Sequence, residues 1–299
     1  MPKLYMLVGL SGSGKSSWCA QQHTMKVFSS DKMREELFNN VNEQRYNDIL
    51  FKKLHERVKE SLRNGYDSVV DATNLSSRRR IAFLNEIKHI PCEKICRFFP
   101  MPYEFCLERD SMRKRTVGKK VIMKQMKQFE MPHPNEGWDK IEIVYNYRVE
   151  ANDLNLFLKN PMEHDCSPHH EEPIALHLIL SSCIAELSGA RPEMVEALKW
   201  HDVGKFLTKQ FKDARGNESD IAHFYGHENV SAYLYASSKQ FFKADEDFAH
   251  EVLYLIQNHM KLYNNNETFL RRFKEKYGES FIRDLEEMKY FDEEGRIKL

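Results

Sequence analysis

The segment Gly9-Leu10-Ser11-Gly12-Ser13-Gly14-Lys15-Ser16 fits the pattern GxxxxGK[ST], with an apolar run from Leu4 before it and a helix expected to open at Lys15. Nothing else in the chain constrains the fold as strongly. Such a loop wraps phosphates with backbone N–H groups, sends its lysine to the β and γ groups and binds Mg²⁺ through its serine hydroxyl. It works only where a buried strand delivers it and a helix N-terminus follows, which calls for an α/β sheet. The expected cradle is Gly9, Ser11, Gly12, Ser13, Gly14, Lys15, Ser16 and Ser17, with ATP and Mg²⁺ as cofactors. Lys15 is expected to be catalytic as well, and transfer of the ATP γ-phosphate is the chemistry implied.

The flanking sequence keeps to that architecture. Strands are expected at Leu4 to Val8, Val27 to Ser29, Val69 to Asp71, Ile95 to Phe99 and Ile141 to Tyr145. Between them helices are expected over 15–22, 32–38, 44–63, 77–88 and 103–113, an alternation that predicts a parallel sheet with flanking helices. Breakers at Asn160-Pro161 and through Cys166-Ser167-Pro168-His169-His170 mark a linker. From Pro173 onward, Ile174, Leu178 and Ile179, then Val252, Leu255 and Ile256, recur at helical spacing, which predicts an all-α second half. The 299 residues therefore divide into 1–150, a linker over 151–172, and 173–299.

Composition excludes some classes. Lys+Arg and Asp+Glu both number 45, so no global charge draws the chain to nucleic acid, and any polyanion site must be a local patch. The six cysteines are scattered without CxxC spacing, which argues against a disulfide framework or a zinc knot and suits a reducing cytoplasm. The apolar run at Leu4 reads as a strand rather than a secretory signal, and no 18 apolar residues follow one another, so no membrane span is expected.

Asp31 follows the second strand where a helix begins, a position that suits an N-cap and a catalytic base alike. Arg34, three residues on, shares its helical face. Asp71, ending an apolar strand, could orient Mg²⁺ or simply form a turn. Eight Lys or Arg residues stand between Arg109 and Lys127 against one acid, Asp110. They read either as a solvated helix face or as a lid whose charges meet the nucleotide or a nucleic-acid backbone, and Arg78-Arg79-Arg80 could do the same. With Ser30-Asp31-Lys32-Met33-Arg34, Asp71-Ala72-Thr73-Asn74-Leu75 and Arg109-Asp110-Ser111-Met112-Arg113, this half resembles the bacteriophage and bacterial 5′-hydroxyl polynucleotide kinases. The resemblance implies that Asp31 takes the proton of a 5′-OH, that Arg34 holds a substrate phosphate, and that Arg109 and Arg113 close a lid. Wider relatives of the same class that phosphorylate small molecules share most of the pattern, including Phe129-Glu130-Met131-Pro132 and Glu136-Gly137.

In the second half the informative histidines are His177, His201, His223, His227 and His259. Imidazoles with the adjacent Asp202 suit a divalent transition metal, Mn²⁺, Ni²⁺, Co²⁺, Fe²⁺ or Zn²⁺, with positions left for water. The run Lys199-Trp200-His201-Asp202-Val203-Gly204-Lys205, with Gly226-His227-Glu228, Asn258-His259-Met260 and Asp292, resembles the HD phosphohydrolase superfamily. That resemblance implies His177, His201, Asp202 and Asp292 around one metal, His227 and His259 on a second metal or the scissile phosphate, and Lys205 as a phosphate contact. Asp284 competes with Asp292 for its place, and His223 could equally lie on the surface.

The two halves together resemble bacterial enzymes that fuse an HD phosphoesterase to a polynucleotide kinase, here with the kinase leading. The expected function is nucleic-acid end healing: phosphorylation of 5′-OH ends, on RNA ahead of DNA, and removal of 2′,3′-cyclic or terminal 2′ or 3′ phosphates. The alternative is a nucleoside, nucleotide or sugar kinase coupled to an HD nucleotidase or a nucleotide-sensing module.

Overall fold

The strand and helix alternation yields a five-stranded sheet in the computed structural model, which describes residues 1–145, 173–238, 241, 243–264 and 266–297. The chain divides into two units, one built from residues 1–125 and 132–145, the other from 126–131 and the described residues from 173 onward. The linker expected over 151–172, with Cys166, lies outside the described residues.

In the first unit β1 (Lys3–Val8), β2 (Lys26–Ser29), β3 (Ser68–Asp71), β4 (Glu93–Phe98) and β5 (Lys140–Ile143) lie in the order β2-β3-β1-β4-β5. Every pairing is parallel, with Tyr5 opposite Val69 on one side and Ile95 on the other. Leu4, Leu7, Val8, Val69, Ile95 and Phe98 are almost wholly buried, as expected of central strands covered on both faces. The helices are α1 (Lys15–Ala20), α2 (Ser30–Phe38), α3 (Asn47–Arg63), α4 (Ser77–Ile87), α5 (Tyr103–Ser111) and α6 (Lys119–Lys127). Because the chain leaves β1 toward β2 and β3 and later crosses back to β4, the strand order reverses at β1. The crevice beyond its carboxyl end is where such sheets bind ligands, and the glycine loop occupies it.

The capping expectation for Asp31 is corrected. Ser29, extended at φ −94° and ψ 129°, precedes α2, and Asp31 sits inside the first turn. There its charge still opposes the positive end of the helix dipole.

The second unit contains α7 (Ile174–Leu187), α8 (Pro192–Trp200), α9 (Lys205–Thr208), α10 (His227–Ala236), α11 (Glu246–Asn258), α12 (Glu267–Tyr277) and α13 (Glu279–Glu294), with a 3₁₀ turn over His259–Tyr263. It is not all α. β6 (Gln210–Lys212) and β7 (Glu218–His223) form an antiparallel hairpin. Its turn is built by Asp213, whose side chain accepts the N–H groups of Arg215 and Asn217, both at 2.8 Å, while Gly216 takes φ 88°. The flanking segments carry too few apolar residues at helical spacing to bury a helix face, and the Asp-x-x-Gly turn was the overlooked signal. Residues 126–131 are embedded in this unit. Phe129 meets Tyr233 edge-on at 5.1 Å, and the Gln257 amide bonds Phe129 O at 2.8 Å and Met131 N at 2.9 Å. Among the described residues no helix is long and apolar enough to cross a membrane.

Candidate active sites

The glycine loop is shaped by what it must avoid. Gly12 takes φ 89°, and a Cβ there would stand 2.5 Å from the carbonyl oxygen of Cys106, so the loop can lie against α5 only with glycine at this position. Lys15 is buried, and its ammonium donates to the carbonyls of Gly9 (2.9 Å) and Leu10 (2.7 Å) and to Ser13 Oγ (3.2 Å). Burial lowers its pKa to about 8, which leaves it charged at neutral pH and poorly solvated, as a phosphate-binding cation should be. Ser16 Oγ donates to Asp71 Oδ2 at 3.1 Å. Asp71 ends β3, and burial raises its pKa. A hydroxyl beside one carboxylate is the small oxygen set that suits Mg²⁺, which keeps most of its waters. Ser11 is tied to Gln125, which accepts its N–H at 2.8 Å and donates to its Oγ at 3.0 Å. Ser17 is exposed on the first turn of α1.

The expected base and clamp are brought together. Arg34 is buried, donating from Nη1 to Asp31 Oδ1 at 2.8 Å and from Nη2 to Asn47 Oδ1 at 3.0 Å. Its Nε is buried with no hydrogen-bond partner among the described residues. Sequence reasoning counted Arg115 only within a basic run, yet its Nη1 lies 3.3 Å from Asp31 Oδ2 while its Nε donates to Asn42 Oδ1 at 2.7 Å. The Asp31 charge works against burial at Lys15 and with it at Asp71, and the Arg113 charge adds to the lowering at Lys15, so Asp31, Asp71, Lys15 and Arg113 share a single electrostatic field. Arg109 is exposed at the end of α5. The segment between α5 and α6 is closed by Asp110, which accepts the N–H groups of Val117 and Gly118.

Arg80 overturns one expectation. Rather than facing a polyanion, it is buried against Glu136, donating from Nε at 2.8 Å and Nη2 at 2.7 Å, while Nη1 donates to the carbonyls of Asn74 and Leu75. Trp138 Nε1 also donates to Glu136, at 2.9 Å. The pair bolts down the loop that follows Asp71. Arg78 and Arg79 remain exposed.

In the second unit His177, His201 and Asp292 form one buried group and Asp202, His227 and His259 another. His177 Nε2 lies 3.2 Å from His201 Nε2 and 3.0 Å from Asp292 Oδ1; His227 Nε2 lies 3.2 Å from His259 Nε2 and 3.1 Å from Asp202 Oδ1. Donors held about 2.0–2.2 Å from one ion stand roughly 3–3.6 Å apart, so the spacing is that of ligand sets. Asp202 joins them, since its other oxygen, Oδ2, lies 3.6 Å from His201 Nε2 and 2.8 Å from the Lys205 ammonium.

The fit to a metal rests on proton bookkeeping. Each histidine turns Nδ1 to a backbone carbonyl: His177 to Gly295, His201 to Leu198, His227 to Phe224 and His259 to Ile256. Carbonyls left over near helix ends and turns accept readily, and a neutral imidazole that donates from Nδ1 has a bare lone pair on Nε2. In that form two lone pairs would face each other at 3.2 Å in each group. A cation resolves that repulsion. Burial lowers the pKa of His259 to about 3, keeping the ring neutral. Burial pushes the Asp202 carboxyl up, but the Lys205 ammonium, His201 and His227 together outweigh it and hold the group well below the usual range. Asp292 Oδ1 is buried with no hydrogen-bond donor among the described residues. Two residues that sequence reading missed hold the other oxygen: Tyr263 donates to Asp292 Oδ2 at 2.7 Å and Arg296 at 3.1 Å. The rival acid, Asp284, is taken up by Arg191 at 3.3 Å. Gly204 lies so close to α10 that a Cβ would meet the His227 carbonyl oxygen at 2.3 Å. Above Asp202, His227, His259 and Asp292 opens a cavity of about 610 Å³.

Residues 4–132 match a family model described as an AAA domain. The L-seryl-tRNA(Sec) kinase of Methanococcus maripaludis is 24% identical over 173 residues, 54% of this chain and 65% of the relative, so the chain spans just under two thirds of that relative's length. A chain in a structure of the Pnkp1/Rnl/Hen1 RNA repair complex is 27% identical with a TM-score of 0.35, covering 42% of this chain and 43% of that one. Another Pnkp1/Rnl/Hen1 complex gives 24% and 0.33, with 40% and 42% covered. The parallel sheet and the matching family model make the amino-terminal part of the chain a P-loop kinase domain, followed by a helical region.

Proposed function

We propose that this protein heals nucleic-acid ends with two sites, phosphorylating 5′-OH ends at the glycine loop and hydrolysing 2′,3′-cyclic or terminal 2′ or 3′ phosphates at the histidine–aspartate site. In the first reaction Asp31 takes the proton of the attacking hydroxyl as its oxygen bonds to the γ-phosphorus. The bond to the β–γ bridging oxygen breaks and ADP leaves. Phosphoryl transfer needs positioning and charge neutralisation more than covalent help, which Lys15, Arg113 and Mg²⁺ on Ser16 and Asp71 supply. Arg34, with its unpartnered buried Nε, holds a phosphate of the acceptor strand.

One observation carries the polymer reading. The Asp31 side chain is 60% exposed although its partner Arg34 is 6% exposed, so the base faces open solvent across a fixed clamp and can admit a chain end. The name of the Methanococcus relative, a kinase of L-seryl-tRNA(Sec), describes an RNA-borne acceptor, which supports RNA ahead of DNA.

At the second site the donor set supports reading residues 173–299 as an HD phosphohydrolase, in which His177, His201, Asp202, His227, His259 and Asp292 would hold Mn²⁺, Ni²⁺, Co²⁺, Fe²⁺ or Zn²⁺. A divalent ion there lowers the pKa of bound water toward neutrality and neutralises charge developing on the phosphoryl oxygens. The Lys205 ammonium, 2.8 Å from Asp202 Oδ2, supports its reading as a contact to a phosphate oxygen. The test is transfer of labelled γ-phosphate from ATP to RNA and DNA oligonucleotides with 5′-OH ends, alongside nucleosides. Asp31→Ala should abolish transfer and spare phosphoesterase activity, and His201→Ala the reverse. Labelling of nucleosides with none of any oligonucleotide refutes the polymer assignment.

A further inference from the structure

The hairpin that sequence periodicity did not foresee ends at the metal-ligating group. β7 runs to His223, and the following residues, Phe224, Tyr225 and Gly226, lead directly into His227. His223 and Tyr225 lie with their rings parallel, 7° between planes and 5.3 Å between centroids. They are locked by hydrogen bonds, His223 Nε2 to Ser219 Oγ at 3.0 Å and Tyr225 Oη to His223 Nδ1 at 3.2 Å. Both line the cavity above Asp202 and His227, and Tyr225 is 42% exposed. The same cavity is lined by the cationic groups of Lys205 and Arg296.

A flat aromatic surface, immobilised before any ligand arrives and partly open to water, has no packing role that needs this exposure. Cations beside the carboxylates suit phosphate, and a pre-ordered aromatic plane suits a planar heterocycle, because base–aromatic stacking is strong and tolerant of base identity. The volume of about 610 Å³ falls in the range of small-molecule sites, roughly 300–1,000 Å³.

We infer that His223 and Tyr225 form a nucleobase subsite, so that the ester cleaved at the histidine–aspartate site is a phosphorylated nucleoside, free or at a strand terminus, rather than a sugar phosphate or polyphosphate. The inference rests on the phosphohydrolase reading and adds the element that selects its substrate. Tyr225 supplies the stacking face and the Ser219–His223 bond holds it in plane. Base identity is left unread, since the platform presents a ring face and not a hydrogen-bonding edge.

The test measures equilibrium binding to the full chain of uridine 3′-monophosphate, adenosine 3′-monophosphate and ribose 5-phosphate, by calorimetry, in the parent and in Tyr225→Ala and Tyr225→Phe. The parent should prefer both nucleotides over ribose 5-phosphate. Tyr225→Ala should weaken both nucleotides about tenfold or more, the scale of one lost stack, and collapse that preference, whereas Tyr225→Phe should retain most of it. Equal affinity of the parent for nucleotides and ribose 5-phosphate overturns the inference, as does a loss in Tyr225→Ala that is the same for all three. Hydrolysis of uridine 3′-monophosphate and uridine 2′,3′-cyclic monophosphate by the metal-loaded chain tests the underlying reading separately. Its absence with base preference intact refutes the hydrolase and leaves the subsite, and its presence without base preference does the converse.

Discussion

Replacing Glu136 by glutamine isolates the buried ion pair that braces the kinase site. Arg80 and Glu136 have side chains 0% and 1% exposed, and two short guanidinium–carboxylate bonds join them. Glutamine preserves the shape but removes the charge, so Arg80 keeps a buried positive charge without its counter-ion and one of its bonds meets an amide donor. Breaking one side of a buried pair costs about 3–5 kcal/mol, whereas exchanging both partners for apolar groups of similar volume costs far less. At ~1.4 kcal/mol per tenfold, local opening of α4 and of the loop at Asn74 and Leu75 should become roughly 10²- to 4 × 10³-fold more frequent. Amide hydrogen exchange of the full chain, read by mass spectrometry on peptides covering 74–87, measures this without requiring the two units to unfold together. The double variant Arg80→Met, Glu136→Leu should recover most of the protection, losing mainly the bonds to the two carbonyls and to Trp138. An increase under about fivefold in Glu136→Gln, or a double variant that exchanges faster than the single, would refute the assignment of the pair as a bolt.

Two further predictions concern the sites themselves. Lys15 has its pKa lowered from 10.5 to about 8 by burial, so between those values the folded chain has shed a proton that the unfolded chain retains, and this group's contribution to stability rises with pH across that window. ATP needs the ammonium, so calorimetric affinity should be level below pH 8 and fall by up to about tenfold per unit above it; unchanged affinity from pH 7 to 9.5 contradicts the placement of this lysine on the phosphates. Tyr263→Phe removes the hydrogen bond that orients Asp292, and outer partners of this kind are worth about 10–100-fold in metal affinity; competition against a chelating dye should show that loss, and no change would mean that Asp292 needs no such support.

Much of the kinase site was legible because its signals are local. The spacing from Gly9 to Ser16 dictates a loop whatever surrounds it, and Asp31 and Arg34 share a helical face by the period of the helix alone. Arg80 was misread for the complementary reason: next to Arg78 and Arg79 it looks like part of a surface run, and only burial against Glu136, 56 residues away, separates it from them. Arg115 carried no local mark beyond membership of a basic stretch, and Tyr263 and Arg296 none at all. The hairpin at Gln210–His223 escaped because neighbouring helices dominated the periodicity.

From its own residue order the chain specified a phosphate loop on a parallel sheet, a helical second half and an inventory of imidazoles and carboxylates suited to a divalent ion. Tertiary packing alone decided which acid, Asp292 or Asp284, joined His177 and His201, that Asp202 turned one oxygen to each histidine group, and that an aromatic pair came to wall the cavity above them. Backbone geometry fixes spacing over a few residues, but a buried carboxylate settles beside whichever partners the fold brings within about 4 Å, and that choice is made by contacts far apart in sequence.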